Sequence, residues 1–144
     1  MGSDDMLYRQ RLAEGFLAEA MQDLALQRWR SCVGNSQLAV ENAAKLVLGI
    51  FGPVGKSHQP ALALRRMIEE GRFSPDVEGS VSRLAECAEQ LGPEIHIQSD
   101  YGDETSGLTP WELFGEDESK KIISLAQESI ALALRLVSWA DAHR

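Results

Sequence analysis

Cysteine, aromatic rings and membrane-length apolar runs are all scarce in this chain. Its 144 residues include two cysteines, Cys32 and Cys87, far apart and with no CxxC pair. That count excludes a disulfide framework and a thiolate zinc site, and a reducing cytoplasm suits such a chain. No apolar stretch reaches the ~20 residues that cross a bilayer. The opening Met1-Gly2-Ser3-Asp4-Asp5 has neither the basic nor the apolar segment of a secretory signal. A soluble, cytoplasmic protein is expected, with no membrane contact. Sustained alternation of polar and apolar residues is missing too; Ile95-His96-Ile97 is too short to count as a strand. The three histidines, His58, His96 and His143, form no HxH or HxxxH pair, so no metal or other cofactor is expected.

Basic charge is missing from the second half. Residues 1–72 hold nine Lys and Arg against eight Asp and Glu, whereas residues 73–144 hold five against fourteen, which together give the net −8. Non-specific nucleic-acid affinity comes from Lys and Arg neutralising phosphates, so the acidic half repels a polyanion. DNA binding is not expected, and any nucleotide or RNA contact belongs to the first half. An acidic helical surface also serves simply to keep a small protein in solution.

What the chain does contain is helical periodicity. Leu12, Ala13, Phe16, Leu17, Ala20, Met21 and Leu24 recur at steps of one, three and four, which predicts a first helix over roughly residues 5–27. The pattern changes phase around Gln27-Arg28-Trp29. A second helix follows from Trp29 to Phe51, with Val33, Val40, Ala43, Ala44, Val47 and Leu48 inward. Each of these helices would be about 35 Å long. Gly49, Gly52, Pro53 and Gly55 stop the second one. Pro60 suits the first turn of a third helix, which ends near Gly71. Ser74-Pro75 reads as cap and first residue of a fourth, running to Gly92-Pro93. Residues 93–115 carry Gly102, Gly107, Pro110 and Gly115 without an apolar stripe, and are expected to form a long irregular loop. Glu116, Asp117 and Glu118 then open a final helix bearing Ile122, Leu125, Ala126, Ile130, Ala133 and Val137. Ile123 and Leu134 give it a second apolar face, for a neighbouring helix or a dimer partner. The fold class is therefore all-α: a single domain, an up-and-down antiparallel bundle of about five helices with a long loop before the last.

Few motifs carry chemistry. Gly52-Pro53-Val54-Gly55-Lys56-Ser57 ends like a phosphate-binding loop, but two residues rather than four separate its glycines and a helix rather than a strand precedes it. Glu41 and Lys45 stand one helical turn apart beside an apolar stripe. They form either a helix-stabilising ion pair or a partly buried pair facing a polar groove. His58, in the turn entering the third helix, reads as a turn residue or an acid–base group. Asp100-Tyr101-Gly102-Asp103-Glu104 is the most distinctive part of the 93–115 segment. There Tyr101 reads first as a ring that anchors the loop. His96 and Asp100 are close enough to pair, yet no serine, cysteine or arginine is fixed beside them by a recognisable pattern.

Gln37-Leu38-Ala39-Val40-Glu41-Asn42-Ala43-Ala44-Lys45-Leu46-Val47-Leu48, followed by a glycine-rich turn with His58, resembles the second and third helices of the HEPN (higher eukaryote and prokaryote nucleotide-binding) domain family. Asp100-Tyr101-Gly102-Asp103 is similar to the tyrosine–aspartate segment ahead of that family's last helix. The resemblance implies a compact helical homodimer that binds a nucleotide or partners a minimal nucleotidyltransferase, as in toxin–antitoxin pairs. Glu41, Lys45, His58, Asp100 and Tyr101 are then the candidate ligand-binding residues. Some members of the family are metal-independent ribonucleases with an arginine four to six residues ahead of a histidine. None of the three histidines here has one, which implies a non-catalytic module. The competing expectation is an RNA- or nucleotide-processing enzyme in which His58 or His96 is the base, assisted by Glu41 or Asp100.

Overall fold

In a computed structural model the described residues are 3–54 and 59–143. They form helices α1 (Ser3–Ala25), α2 (Trp29–Leu48), α3 (Pro60–Glu69), α4 (Pro75–Gln90), α5 (Pro93–Tyr101), α6 (Pro110–Leu113) and α7 (Glu116–Ala142). The all-α bundle is as the periodicity predicts, and among the described residues no strand occurs beyond one isolated bridge. Proline sets much of this segmentation. Pro60, Pro75, Pro93 and Pro110 each occupy the first turn of a helix, where a fixed φ helps and a missing N–H is not needed.

The turn between α1 and α2 is made by backbone hydrogen bonds. Arg28 N–H donates to Asp23 carbonyl at 2.7 Å and Gln27 N–H to Leu24 carbonyl at 3.1 Å, with Gln27 at φ 59°. That is the Schellman arrangement, which ends a helix through one left-handed residue. It folds α2 back along α1. The small side chains Ala13, Ala39, Ala43 and Ala44 are buried and allow close helix approach.

Helix α2 is the axis of the fold. It packs on α1, α7, α5, α3 and α4, and Val33, Val40 and Val47 meet Leu64, Val81, Leu84 and Leu136 in one core. The double face of α7 is resolved inside the bundle: Ile123 packs with Ala20 and Cys32, and Leu134 lies against the main core. By length and mean hydropathy, 1.3, α7 reaches the range of a membrane-crossing helix, contrary to the expectation from apolar run length. Its Ile122, Ala126, Ile130 and Leu136 are nonetheless packed in the core.

Residues 93–115 are not the continuous irregular loop expected. They hold the nine-residue α5 and the single turn α6. Helix α5 has no apolar stripe to read, because Ser99 is its buried residue. Its partly buried Ile95 packs against the core, and Ser99 carbonyl accepts from Arg30 on α2. The true loop is 102–109, a tight turn closed by paired hydrogen bonds between Asp103 and Leu108 at 2.8 and 3.0 Å. Gly102 is required there. At φ 76° its Cα faces the Leu108–Pro110 backbone, and a methyl would collide with Leu108 carbonyl oxygen.

Candidate functional site

The candidate residues fall at opposite ends of α2. Gln37, Glu41 and Lys45 follow one another at four-residue steps along one face of that helix, and all three are buried. Lys45 Nζ lies 3.3 Å from Glu41 Oε2. Gln37 Nε2 donates to Leu91 carbonyl at 3.3 Å, while its Oε1 is buried with no partner among the described residues. Asn42 turns toward α1, where its Oδ1 accepts from Arg9 Nη1 at 3.3 Å. Of the two alternatives for Glu41 and Lys45, the pair is thus buried, at a polar row inside the bundle. Lys45 also lines a cavity of about 350 Å³ where α2 ends against α3. His58 and Lys56 lie outside the described residues.

Asp100 and Tyr101 belong to the last turn of α5, against the other end of α2. Arg30 and Lys45, at the two ends, are fifteen residues apart, about 22 Å along a helix at 1.5 Å per residue. The candidate residues therefore fall in two separate regions rather than one. Arg30 organises the α5 end. Its Nε donates to Ser99 carbonyl at 2.6 Å, its Nη2 lies 3.6 Å from Asp100 Oδ1, and its Cζ sits 5.8 Å from the centroid of the Trp111 ring. His96 Nε2 is 3.9 Å from Asp100 Oδ2. The helices cross closely here: a methyl on Gly34 would stand 3.2 Å from Ser99 Oγ. On one side of Arg30 a cavity of about 140 Å³ is bounded by Gly34, Asn35, His96 and Asp100. On the other, a groove of about 420 Å³ is bounded by Arg28, Trp29, Trp111 and Phe114. Asn35 is itself held, donating to Asp23 Oδ2 at 2.8 Å.

Tyr101 corrects the reading of its ring as an anchor, since it is 70% exposed. The turn is held by Gly102 and the Asp103–Leu108 hydrogen bonds instead. Asp103 carboxylate also accepts the Thr105 and Ser106 N–H groups at 3.1 and 3.3 Å. A hydrogen bond from the Ser106 hydroxyl foremost, and then the Ser106 and Thr105 N–H bonds, hold it below the usual aspartate range. It is a turn former.

Arg28, Arg30 and Trp111 were missed from sequence. The available signal was Arg28-Trp29-Arg30, two cations around an aromatic at a helix start, in the half of the chain without excess acid. Trp111 is placed by α6, whose start is held by Glu112 reaching back to the cap residue: Thr109 N–H and Oγ1 both donate to Glu112 Oε1, at 3.2 and 2.9 Å. Helix α7 then returns to α2, with Ser119 Oγ 3.1 Å from Trp29 carbonyl oxygen.

The groove thus offers two arginines and an exposed indole, next to a histidine–aspartate pair. Among the described residues no three His, Cys, Asp or Glu side chains gather as a metal site.

Comparison with known proteins agrees with this architecture. No curated protein sequence matches. The solved structures include a similar chain, TT1696 from Thermus thermophilus, with a TM-score of 0.68 and 18% identity over 93% of this chain and 99% of that one. At that identity the likeness concerns the fold. The model of the HEPN domain family matches residues 6–136, from the first turn of α1 to the last third of α7. With nearly all of its length covered by that match, the chain belongs to the HEPN domain family.

Proposed function

We propose that this chain is a non-catalytic HEPN module that binds a nucleotide in the groove between the start of α2 and α6, and acts as a dimeric partner subunit, of the kind that accompanies a minimal nucleotidyltransferase. The observation that carries the reading is Arg30 Cζ at 5.8 Å over a Trp111 ring that is itself 73% exposed. An exposed indole offers a face on which a base stacks, worth roughly 1–3 kcal/mol per base, and Arg28 and Arg30 offer donors to phosphate. Among the described residues that line the groove there is no acid. Ile97, Tyr101 and Leu108 are exposed on α5 and in the turn after it, and such apolar surface suits a dimer contact.

Tryptophan fluorescence tests the first half. Adenosine and guanosine monophosphates are expected to quench the emission and raise the melting temperature, and Trp111→Ala is expected to abolish both effects. Sedimentation equilibrium tests the second. A strict monomer with no nucleotide-induced shift in melting temperature would sink the reading.

One observation favours a second reading, an RNA- or nucleotide-processing enzyme. His96, Asp100 and Arg30 line the same 140 Å³ cavity, so a base, its carboxylate partner and a phosphate-binding cation stand together although no sequence motif joins them. Glu41 is at the other end of α2 and takes no part. The reading fails if purified protein degrades RNA and His96→Ala leaves that activity intact.

A further inference from the structure

We infer that the cavity at the junction of α2 and α3 is a second ligand site, one that takes a small organic monoanion with an apolar body. It does not rest on the nucleotide reading, because it lies at the far end of α2 from Arg30 and Trp111. Its walls are Leu48, Phe51, Pro60 and Met67, and its charged lining residues among those described are Lys45 and Arg72. At about 350 Å³ it falls in the range of small-molecule pockets, roughly 300–1,000 Å³.

The two cations are arranged differently. Lys45 is buried, and its ammonium has three donors. Among the described residues the structure gives it one acceptor, Glu41 Oε2, at 3.3 Å, longer than the ~2.7–2.9 Å of a strong charged hydrogen bond. Arg72 stands at the rim with its Cζ 5.6 Å from the Phe51 ring centroid and its Nε 3.3 Å from Glu70 Oε1. Neither glutamate lines the cavity. A guest therefore meets ammonium and guanidinium donors, while the carboxylates already offset much of the positive charge. One negative charge is what this arrangement accommodates. The apolar walls supply the rest of the affinity, which an inorganic ion could not use.

Anilinonaphthalene sulfonate and its uncharged analogue N-phenylnaphthylamine make the test, since they differ by the anionic group alone. The full chain is expected to bind one sulfonate dye about tenfold or more tightly than the neutral dye, a difference of ~1.4 kcal/mol. Decanoate is expected to displace it and decanol is not. Arg72→Gln, at an exposed position, should cut the preference for the charged dye at least threefold. Trp111→Ala should leave it unchanged. Ala63→Trp, which fills the cavity from α3, should abolish binding of both dyes with the helical circular dichroism retained. Equal affinity for the two dyes, a preference that survives Arg72→Gln, or a loss of binding in Trp111→Ala would overturn the assignment. So would full binding by folded Ala63→Trp. Because only the groove variant should affect nucleotide-induced quenching, failure of either site is seen separately from failure of the other.

Discussion

Lys45 Nζ lies 3.3 Å from Glu41 Oε2, with the two side chains 7% and 10% exposed. Removing one partner of a buried pair leaves the other charge desolvated and uncompensated, a loss of about 3–5 kcal/mol. Glu41→Gln keeps the shape of the side chain and removes its charge, so the buried Lys45 ammonium is expected to bear this cost. Urea denaturation should show it as a lower midpoint at unchanged slope. Adding Lys45→Met, which removes the stranded charge at similar length, should recover more than half of the loss.

Arg30 is a structural link as well as a candidate ligand. Its bond to Ser99 carbonyl, 2.6 Å, ties α2 to a helix that buries little apolar surface of its own. A hydrogen bond with a charged partner contributes ~1.5–3 kcal/mol. Arg30→Ala should therefore raise amide hydrogen exchange across α5 while α7 stays protected. Arg30→Lys should not restore protection, since an ammonium lacks the planar fork that donates to Ser99 carbonyl while facing the Trp111 ring.

The contrast between α5 and its neighbours explains what the sequence made legible. Helices α1, α2, α4 and α7 bury stripes such as Val77, Val81, Leu84 and Ala88, and a stripe of that spacing is visible without coordinates. In α5 the buried residue is Ser99, so the periodicity that reveals helices was missing, and Gly and Pro at either side read as loop. The site divided for a related reason. Glu41 and Lys45 announce themselves by their four-residue spacing. The groove is built by Arg30, Ser99 and Trp111, whose proximity comes from tertiary packing across sixty-nine residues between the first two.

Two ion pairs predict the acid limb of the stability curve. Arg83 holds Glu128 by two hydrogen bonds, 2.7 and 2.8 Å, between α4 and α7. Arg65 holds Glu89 likewise, 3.1 and 2.8 Å, between α3 and α4. These guanidinium hydrogen bonds hold both carboxyls below the ordinary glutamate value of 4.5. Between the lowered folded value and 4.5 the unfolded chain binds more protons, so stability rises with pH there and is lost as pH falls through it. Both pairs are substantially exposed, so each contribution is small. The urea midpoint should hold steady from neutral pH to about 4.5 and drop below it. In Glu89→Gln/Glu128→Gln it should start lower and drop less.

Two turn residues with positive φ make opposite predictions. Gln27, at φ 59°, occupies the left-handed position of the Schellman turn after α1. A residue with a Cβ is strained there by roughly 1 kcal/mol relative to glycine. Gln27→Gly should therefore raise the melting temperature by a few degrees, offset in part by the greater flexibility of glycine in the unfolded chain. Gly102, at φ 76°, is already glycine, and a methyl there would meet the Leu108 carbonyl oxygen and the Thr109–Pro110 backbone. Gly102→Ala should cost more than ~2 kcal/mol, since left-handed strain is joined by a backbone collision. Gly107→Ala separates the two effects. Gly107 has φ 72° but open space around its Cα, so its alanine variant should lose only the ~1 kcal/mol of conformational strain. Equal losses at Gly102 and Gly107 would show that the turn closing α5 onto α6 yields to the added methyl.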